Sequence, residues 1–196
     1  MAQGLRLNDI NMKTKFILHG GFTPGKKQEN DDFFQEILKS SPEKAKILLV
    51  YFAKETDKIP ANRDEDINQF NKNKHRKALS FDVANEETFL KQVVWADIVY
   101  LHGGISLKLL NTLKQFSNLK QLFEGKIIAG DSAGANVLSA VFYSERAGGV
   151  FNGLGILPIR TICHYSEKYK DKFVEDTFGL ETLFLLEYRY KVFYSE

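Results

Sequence analysis

The sequence is poor in cysteine and carries almost no excess of charge of either sign. Its single cysteine, Cys163, excludes a disulfide within the chain and is typical of a reducing compartment. The 27 basic and 25 acidic side chains leave a net charge of only +2. Because nucleic acids and membrane surfaces usually bind strongly basic proteins, this balance gives no reason to expect either partner. From the single cysteine we expect a cytoplasmic protein.

Long apolar runs are also missing. No stretch approaches the roughly 20 apolar residues that a membrane-spanning helix needs. The N-terminus has no basic segment followed by an apolar one, which argues against a signal peptide. We expect residues 1–14 to be a loose lead-in and residues 15–196 to form one α/β domain, since this length suffices for one sizeable core.

The chain does contain a regular alternation of short apolar runs and helical patterns. Strands are predicted at residues 16–19, 47–52, 78–83, 98–101 and 126–129. Helices are predicted at residues 31–40, 86–96, 107–116 and 135–141. The charged segment 54–76 is interpreted as a solvated loop and an exposed helix. This alternation predicts a three-layer α/β fold with a doubly wound, mostly parallel sheet and right-handed crossovers.

Glycine-bearing turns follow three of the predicted strands, at Gly20-Gly21, Gly103-Gly104 and Gly130 to Gly134. Because ligand sites form at the carboxyl ends of parallel strands, we expect these turns to gather along one edge of the sheet. Residues 20–27 nearly match a phosphate-binding loop, but Lys27 replaces the required hydroxyl and Pro24 removes an amide. We therefore expect no nucleotide there, and no cofactor or metal elsewhere.

The most informative motif is G-x-S-x-G at residues 130–134. A strand-like run precedes it and a helical run follows it, which is the context of a nucleophile elbow. In such a turn the serine, here Ser132, is held out of the sheet near the N-terminal amides of the helix. The motif predicts a serine hydrolase.

A serine hydroxyl needs a base, and the chain has four histidines. His75 lies in the charged segment and is expected at the surface. His19 and His102 lie at strand ends, from which either can approach the site. His164 follows a short strand-like run downstream of the serine, which is a suitable place for the base.

The base in turn needs an orienting acid. The carboxylates after the serine include Glu145, Glu167, Asp171 and Glu187. Glu187 is unusual because it interrupts an apolar run, and a carboxylate that ends a buried strand needs a partner or water. On sequence alone, a strand-end glutamate that reaches solvent is the favoured explanation, so the residues leave the acid open.

Two further expectations concern the immediate surroundings of the serine. The amide of Ala133 is the expected first donor to an oxyanion, and the Gly103-Gly104 turn is a candidate for the second. Cys163 precedes His164, but adjacent strand residues point to opposite faces. We therefore interpret Cys163 as a buried, inert thiol rather than a nucleophile.

Taken together, these motifs resemble the peptidase E family of serine peptidases, which are aspartyl dipeptidases related to cyanophycinases. The resemblance rests on residues 130–136 (GDSAGAN), on residues 101–104 (LHGG) and on residues 163–165 (CHY), and its order and spacing extend from about residue 15 to 190. It implies the fold of class I glutamine amidotransferases, a flavodoxin-like sandwich with a nucleophile elbow.

Carried over to matching positions, the resemblance implies that Ser132 is the nucleophile and His164 the general base. It also implies that the amides of Gly104 and Ala133 bind the oxyanion. Glu187 matches a glutamate near the C-terminal end of the family that has been considered as the acid. A second family candidate lies between serine and histidine, where Glu145 is the only carboxylate within residues 144–149.

The chain also departs from the family pattern. Ile105-Ser106 stand where Asn-Thr is common, and Ile162-Cys163 stand where proline or asparagine often precedes the histidine. The chain stops at Glu196, earlier than most relatives, from which we expect a final strand or hairpin to be missing. These departures bear on substrate choice more than on the nucleophile.

The expected activity is that of a serine peptidase that cleaves short peptides through an acyl-enzyme on Ser132, and the resemblance implies Asp-X dipeptides. Arg146, Arg160 and Arg189 are the candidates to pair with an acidic substrate side chain. One alternative is a non-catalytic member that binds a ligand or partner in the cleft. Another is an amidase or acyltransferase. A small peptide is the expected partner, and a homodimer is left open.

Overall fold

A computed structural model describes residues 13–21, 30–173 and 179–195 of the chain. The predicted lead-in up to residue 12 and most of the glycine-lysine run at 20–27 lie outside these residues. The strands are β1 (Lys15–His19), β2 (Lys44–Val50), β3 (Ala78–Val83), β4 (Ile98–Leu101), β5 (Ile127–Asp131), β6 (Ser139–Ser144), β7 (Gly149–Asn152), β8 (Leu157–Cys163), β9 (Glu181–Leu185) and β10 (Tyr190–Tyr194). The helices are α1 (Asp31–Lys39), α2 (Ile59–Asn73), α3 (Phe89–Trp95), α4 (Ser106–Leu113), α5 (Leu119–Leu122) and α6 (Ala133–Leu138).

Six strands form the main sheet, in the order β10-β1-β5-β4-β2-β3. All neighbours are parallel except β10, which runs antiparallel to β1 at the edge. Every residue of β1, β4 and β5 is buried, as expected of parallel strands that are covered on both faces. Alternate residues of β2 enter two cores, with Leu48 and Val50 in one and Ile47 and Leu49 in the other. The predicted α/β class is confirmed.

A second sheet follows the elbow helix and was not predicted from the sequence. Its order is β7-β6-β8-β9, with β7 antiparallel and the other neighbours parallel. The predicted helix over 135–141 is wrong in its second half, because α6 ends at Leu138 and β6 begins at Ser139. The hydroxyl of Ser139 donates to the carbonyls of Ala135 and Asn136, at 2.9 and 3.0 Å, and so satisfies two groups of the last turn.

The charged segment 54–76 was interpreted as solvated, and this is only partly right. Helix α2 buries one face, formed by Asp66, Phe70 and Asn73. Phe70 is fully buried against the rings of Phe34 and Tyr100, with centroid distances of 4.9 and 5.6 Å. These aromatic contacts help to hold α2 beside the sheet, and Asp66, one turn earlier, lies in the cleft at its carboxyl edge.

No helix among the described residues is long and apolar enough to cross a membrane.

The Phe70→Ala substitution tests whether α2 is anchored in this way. Loss of a fully buried phenylalanine should lower the free energy of unfolding by about 3–5 kcal/mol, because a cavity replaces its ring. Urea denaturation measures the change. The matched control is Val94→Ala on α3, where the side chain is 65 % exposed, and we expect a change within about 0.5 kcal/mol there. Equal effects of the two substitutions would contradict the packing described for α2.

Candidate active site

A cleft of about 550 Å³ opens at the carboxyl edge of the main sheet. Ser132 and His164 both line it, together with Gly103 and Gly104. Gly21 lies directly against the ring of His164. The three glycine turns therefore meet at one edge, as the sequence predicted. A cleft of this volume is of the size that binds a small ligand.

The turn after β1 supports the three segments that carry the candidate triad. Its successive carbonyl oxygens each accept one backbone hydrogen bond from a different part of the chain. The bonds run from Ser132 to His19, from His164 to Gly20 and from Tyr188 to Gly21, with N···O distances of 2.9, 2.8 and 3.1 Å. Tyr188 follows Glu187 directly, so one turn fixes the backbone beside serine, histidine and glutamate.

Gly21 is required in this turn for two reasons. Its φ is +112°, a conformation that residues with a side chain rarely adopt. A Cβ at this position would also collide with the imidazole of His164. The glycine thus leaves room for the histidine ring next to the backbone of the turn.

Ser132 lies between the end of β5 and the start of α6, as expected of a nucleophile elbow. Its φ and ψ are +46° and −96°, a strained conformation for a residue with a Cβ. The strained peptide is held from both sides. The amide of Ser132 donates to His19, and its carbonyl accepts from the amide of Asn136 at 2.9 Å.

The structure brings Ser132, His164 and Glu187 into one hydrogen-bonded chain. Ser132 Oγ lies 2.9 Å from His164 Nε2, and His164 Nδ1 lies 2.9 Å from Glu187 Oε1. The side chains of His164 and Glu187 are 43 % and 41 % exposed, so the candidate acid is partly open to solvent rather than buried. A carboxylate on Nδ1 favours the tautomer that leaves Nε2 free to accept the serine proton.

Glu145, the alternative acid, has different partners. Its Oε1 accepts a hydrogen bond from Lys168 Nζ at 3.1 Å, and Glu145 is exposed. Hydrogen bonds from Tyr169 and Lys168 lower the pKa of this carboxyl. Glu145 lines the cleft but makes no hydrogen bond to the ring of His164.

The two candidate oxyanion donors are unoccupied by other groups. The amide of Ala133 opens α6, and neither it nor the amide of Gly104 donates to a described residue. Gly104 has a φ of +153°, and a Cβ there would collide with the carbonyl of Ala53. Both amides thus remain candidate donors to an oxyanion, with Gly104 in the lining of the cleft and Ala133 directly after Ser132.

The other three histidines have separate environments. His19 is fully buried, and its Nδ1 accepts from the amide of Gly21 at 3.1 Å and lies 3.3 Å from Asp131 Oδ1. His102 is buried with its Nδ1 2.7 Å from Asp66 Oδ2. His75 is exposed, as expected.

Cys163 lines the cleft beside His164, but its environment does not suit a nucleophile. It is buried, and its Sγ donates to the carbonyl of Ser132 at 3.3 Å. Burial raises the pKa of the thiol, and the nearby Asp131 acts in the same direction. A thiol held in the neutral form is a poor nucleophile, which agrees with the inert role expected from the sequence.

The three candidate arginines differ in their position relative to the cleft. Arg146 lines the cleft. Arg160 does not, and its guanidinium lies over the ring of Phe173 at 5.2 Å. Arg189 is exposed, and only its backbone carbonyl reaches the site region, where it accepts from Gly20. Of these three, the structure places Arg146 where a bound ligand would lie.

Lys54 and Asp66 are among the charged residues of the cleft that sequence reasoning missed. Both fall in the segment that was interpreted as solvated. Lys54 follows the buried end of β2 by four residues, and this position at a carboxyl edge was the available signal. Asp66 precedes Phe70 by one helical turn and so shares its buried face.

A buried polar network joins the elbow helix to its neighbours. Asn136 Nδ2 donates to Ser106 Oγ at 3.1 Å, and Thr161 Oγ1 donates to Asn136 Oδ1 at 3.3 Å. These bonds tie α6 to α4 and to β8. Ser106, one of the departures from the family pattern, therefore still serves as a hydrogen-bond partner.

The chain matches the sequence profile of peptidase family S51 over residues 16–182. A comparison with curated proteins finds no match. Among solved structures, a peptidase from an acI-B1 Actinobacterium superposes with a TM-score of 0.67 at 20 % identity, covering 93 % of this chain and 84 % of that one. A putative peptidase E protein from Listeria monocytogenes EGD-e gives a TM-score of 0.64 at 16 % identity, covering 93 % and 98 %.

At these identities the two structures show a shared fold. The profile match shows family membership as well, because the matched residues include the elbow, the glycine turns and the strand β8 that precedes His164. The chain therefore belongs to peptidase family S51, the peptidase E family.

Proposed function

We propose that this protein is a serine peptidase that hydrolyses short peptides through an acyl-enzyme on Ser132. One observation carries the proposal: the unbroken chain of hydrogen bonds from Ser132 Oγ through His164 to Glu187, with both N···O distances at 2.9 Å. Membership of a peptidase family supports the same conclusion.

In this mechanism, His164 Nε2 takes the hydroxyl proton while Ser132 Oγ attacks the scissile carbonyl carbon. The amides of Ala133 and Gly104 bind the oxyanion of the tetrahedral intermediate. His164 then gives its proton to the leaving amine, and the acyl-enzyme forms. Water, deprotonated by the same ring, releases the acid and restores the serine. Glu187 holds the ring and stabilises the imidazolium in both halves.

Short peptides with an N-terminal aspartyl residue are the proposed substrates. The resemblance to aspartyl dipeptidases suggests them, and two cleft cations support them. Arg146 and the half-buried Lys54 both line the cleft. Burial lowers the pKa of Lys54, and the positive charge of Arg146 acts in the same direction. Two cations that face one cleft attract an anionic side chain.

The Ser132→Ala substitution tests the nucleophile. We expect the purified protein to hydrolyse Asp-Leu, and Ser132→Ala to abolish this hydrolysis because no other side chain replaces the attacking oxygen. A fluorophosphonate should label the unsubstituted protein stoichiometrically, with the adduct located on Ser132 by peptide mass spectrometry. Ser117→Ala, an exposed serine elsewhere, is the control and should label like the parent.

Hydrolysis that survives in Ser132→Ala would contradict the proposal. Folded protein that takes no label would instead favour the non-catalytic ligand-binding alternative. Hydrolysis of esters or amides without hydrolysis of any dipeptide would favour the amidase or acyltransferase.

The acid is tested by comparing Glu187→Gln with Glu145→Gln. Glutamine at 187 removes the negative charge beside Nδ1, so the imidazolium loses its stabilisation and the ring its preferred tautomer. We expect kcat/KM for Asp-Leu to fall by about a hundredfold or more in Glu187→Gln. Glu145→Gln should stay within about threefold of the parent, since exposed pairs such as that with Lys168 contribute little. The opposite order would assign the acid to Glu145.

A further inference from the structure

The cleft holds a second histidine that the proposed mechanism does not use. His102 is only 6 % exposed and lines the cleft together with Ser132. Its Nδ1 lies 2.7 Å from Asp66 Oδ2, and the same oxygen accepts the hydroxyl of Tyr51 at 2.8 Å. A buried carboxylate with two donors holds this ring in one orientation.

These contacts also fix the tautomer of His102. As a carboxylate, Asp66 only accepts hydrogen bonds, so Nδ1 must donate to it. Burial raises the pKa of Tyr51, with the charge of Asp66 acting in the same direction, and the phenol therefore remains the second donor. The neutral ring is left with an acceptor lone pair at Nε2. No described residue makes a hydrogen bond to Nε2, although the residue lines the cleft.

The charges around this ring favour a cation as its ligand. The carboxylates of Glu65, Asp66 and Asp131 line the same cleft, and those of Asp66 and Asp131 are buried. Burial lowers the pKa of Lys54, the charges of all three carboxylates act against this shift, and Arg146 acts with it. The two buried carboxylates of Asp66 and Asp131 therefore let this part of the cleft attract a positive group.

We propose that His102, oriented by Asp66 and Tyr51, is a binding residue of the cleft whose Nε2 accepts a hydrogen bond from a protonated amine of the ligand. The amine of a short peptide is its α-ammonium group, so this assignment of the ligand rests on the proposed function. His102 directly precedes the Gly103-Gly104 turn. An amine bound to it therefore lies beside the turn that carries the Gly104 amide.

Binding to the Ser132→Ala protein tests the proposal without requiring catalysis. Asp-Leu and Ala-Leu are compared with their N-acetyl forms by titration calorimetry. Since a hydrogen bond to a charged group is involved, each free amine should bind about ten- to a hundredfold more tightly than its acetylated form. In Ser132→Ala with His102→Asn, this ratio should fall below about threefold while affinity for the acetylated peptides is unchanged.

The choice of asparagine separates binding from orientation. Its amide keeps a donor for Asp66 near the position of Nδ1 but places no atom at Nε2. His75→Asn in the Ser132→Ala background is the matched control, because His75 is exposed, and it should leave the ratio unchanged. A ratio that His102→Asn also leaves unchanged, or the absence of any preference for the free amine, would overturn the proposal.

If the His102→Asn protein fails to fold, a second measurement tests the proposal without this substitution. The Hε1 proton resonance of His102 in Ser132→Ala should shift when Ala-Leu is added and stay in place with N-acetyl-Ala-Leu. Equal shifts, or none, would overturn the proposal.

Fluorophosphonate labelling separates a failure of the amine-binding proposal from a failure of the peptidase proposal. An unlabelled parent that still discriminates amines overturns only the peptidase, and a labelled parent without discrimination overturns only the amine site.

Discussion

The backbone of the turn after β1 is the element on which the rest of the site depends. Three successive carbonyls, at His19, Gly20 and Gly21, accept the amides of Ser132, His164 and Tyr188. These donors come from the ends of β5 and β8 and from the loop between β9 and β10. The two sheets are thus joined at the point where their candidate catalytic residues meet, by bonds that involve no side chain.

The same turn explains why strain is concentrated here. Ser132, His164 and Tyr188 all have positive φ, at +46°, +50° and +60°, although each carries a side chain. Such conformations cost about 1–3 kcal/mol each and persist only where the surroundings hold them. The carbonyl that each amide reaches provides that restraint. The result is a serine, a histidine and a glutamate held in register by backbone geometry, with the glutamate left at the exposed rim.

Much of this was predictable from local patterns. The apolar run 98–101 and the glycine-flanked Ser132 predicted a parallel strand and an elbow, because burial on both faces and a tight turn leave clear signatures. His164, the candidate base, was proposed from its position after a strand-like run. The acid was not predictable from the residues alone, since the side chain that reaches Nδ1 depends on how β9 and β10 return to β1. The residues marked Glu187 only as a carboxylate that interrupts an apolar run, and the resemblance added the role of candidate acid.

The second sheet and the cleft wall on α2 escaped prediction for different reasons. Residues 139–141 continue a helical pattern, but the backbone of Ser139 is extended, and the chain from Ser139 pairs with β8. The helix α2 is mostly charged, so the few buried positions around Asp66 and Phe70 give a weak signal. In both segments the local sequence fits more than one structure, and tertiary packing decides between them. In α2, this packing brings Asp66 into hydrogen-bond contact with His102.

The central claim is that the turn after β1 positions the ring of His164 within hydrogen-bond distance of Ser132 Oγ. The rate at which a fluorophosphonate labels the Gly21→Ala protein tests this claim most directly. A Cβ at Gly21 would displace the imidazole, and labelling should slow by about a hundredfold or more. Gly155→Ala is the matched control, because Gly155 also has a positive φ, at +66°, but open space where a Cβ would lie. It should label at the rate of the parent. Folded Gly21→Ala protein that labels as fast as Gly155→Ala would contradict the account.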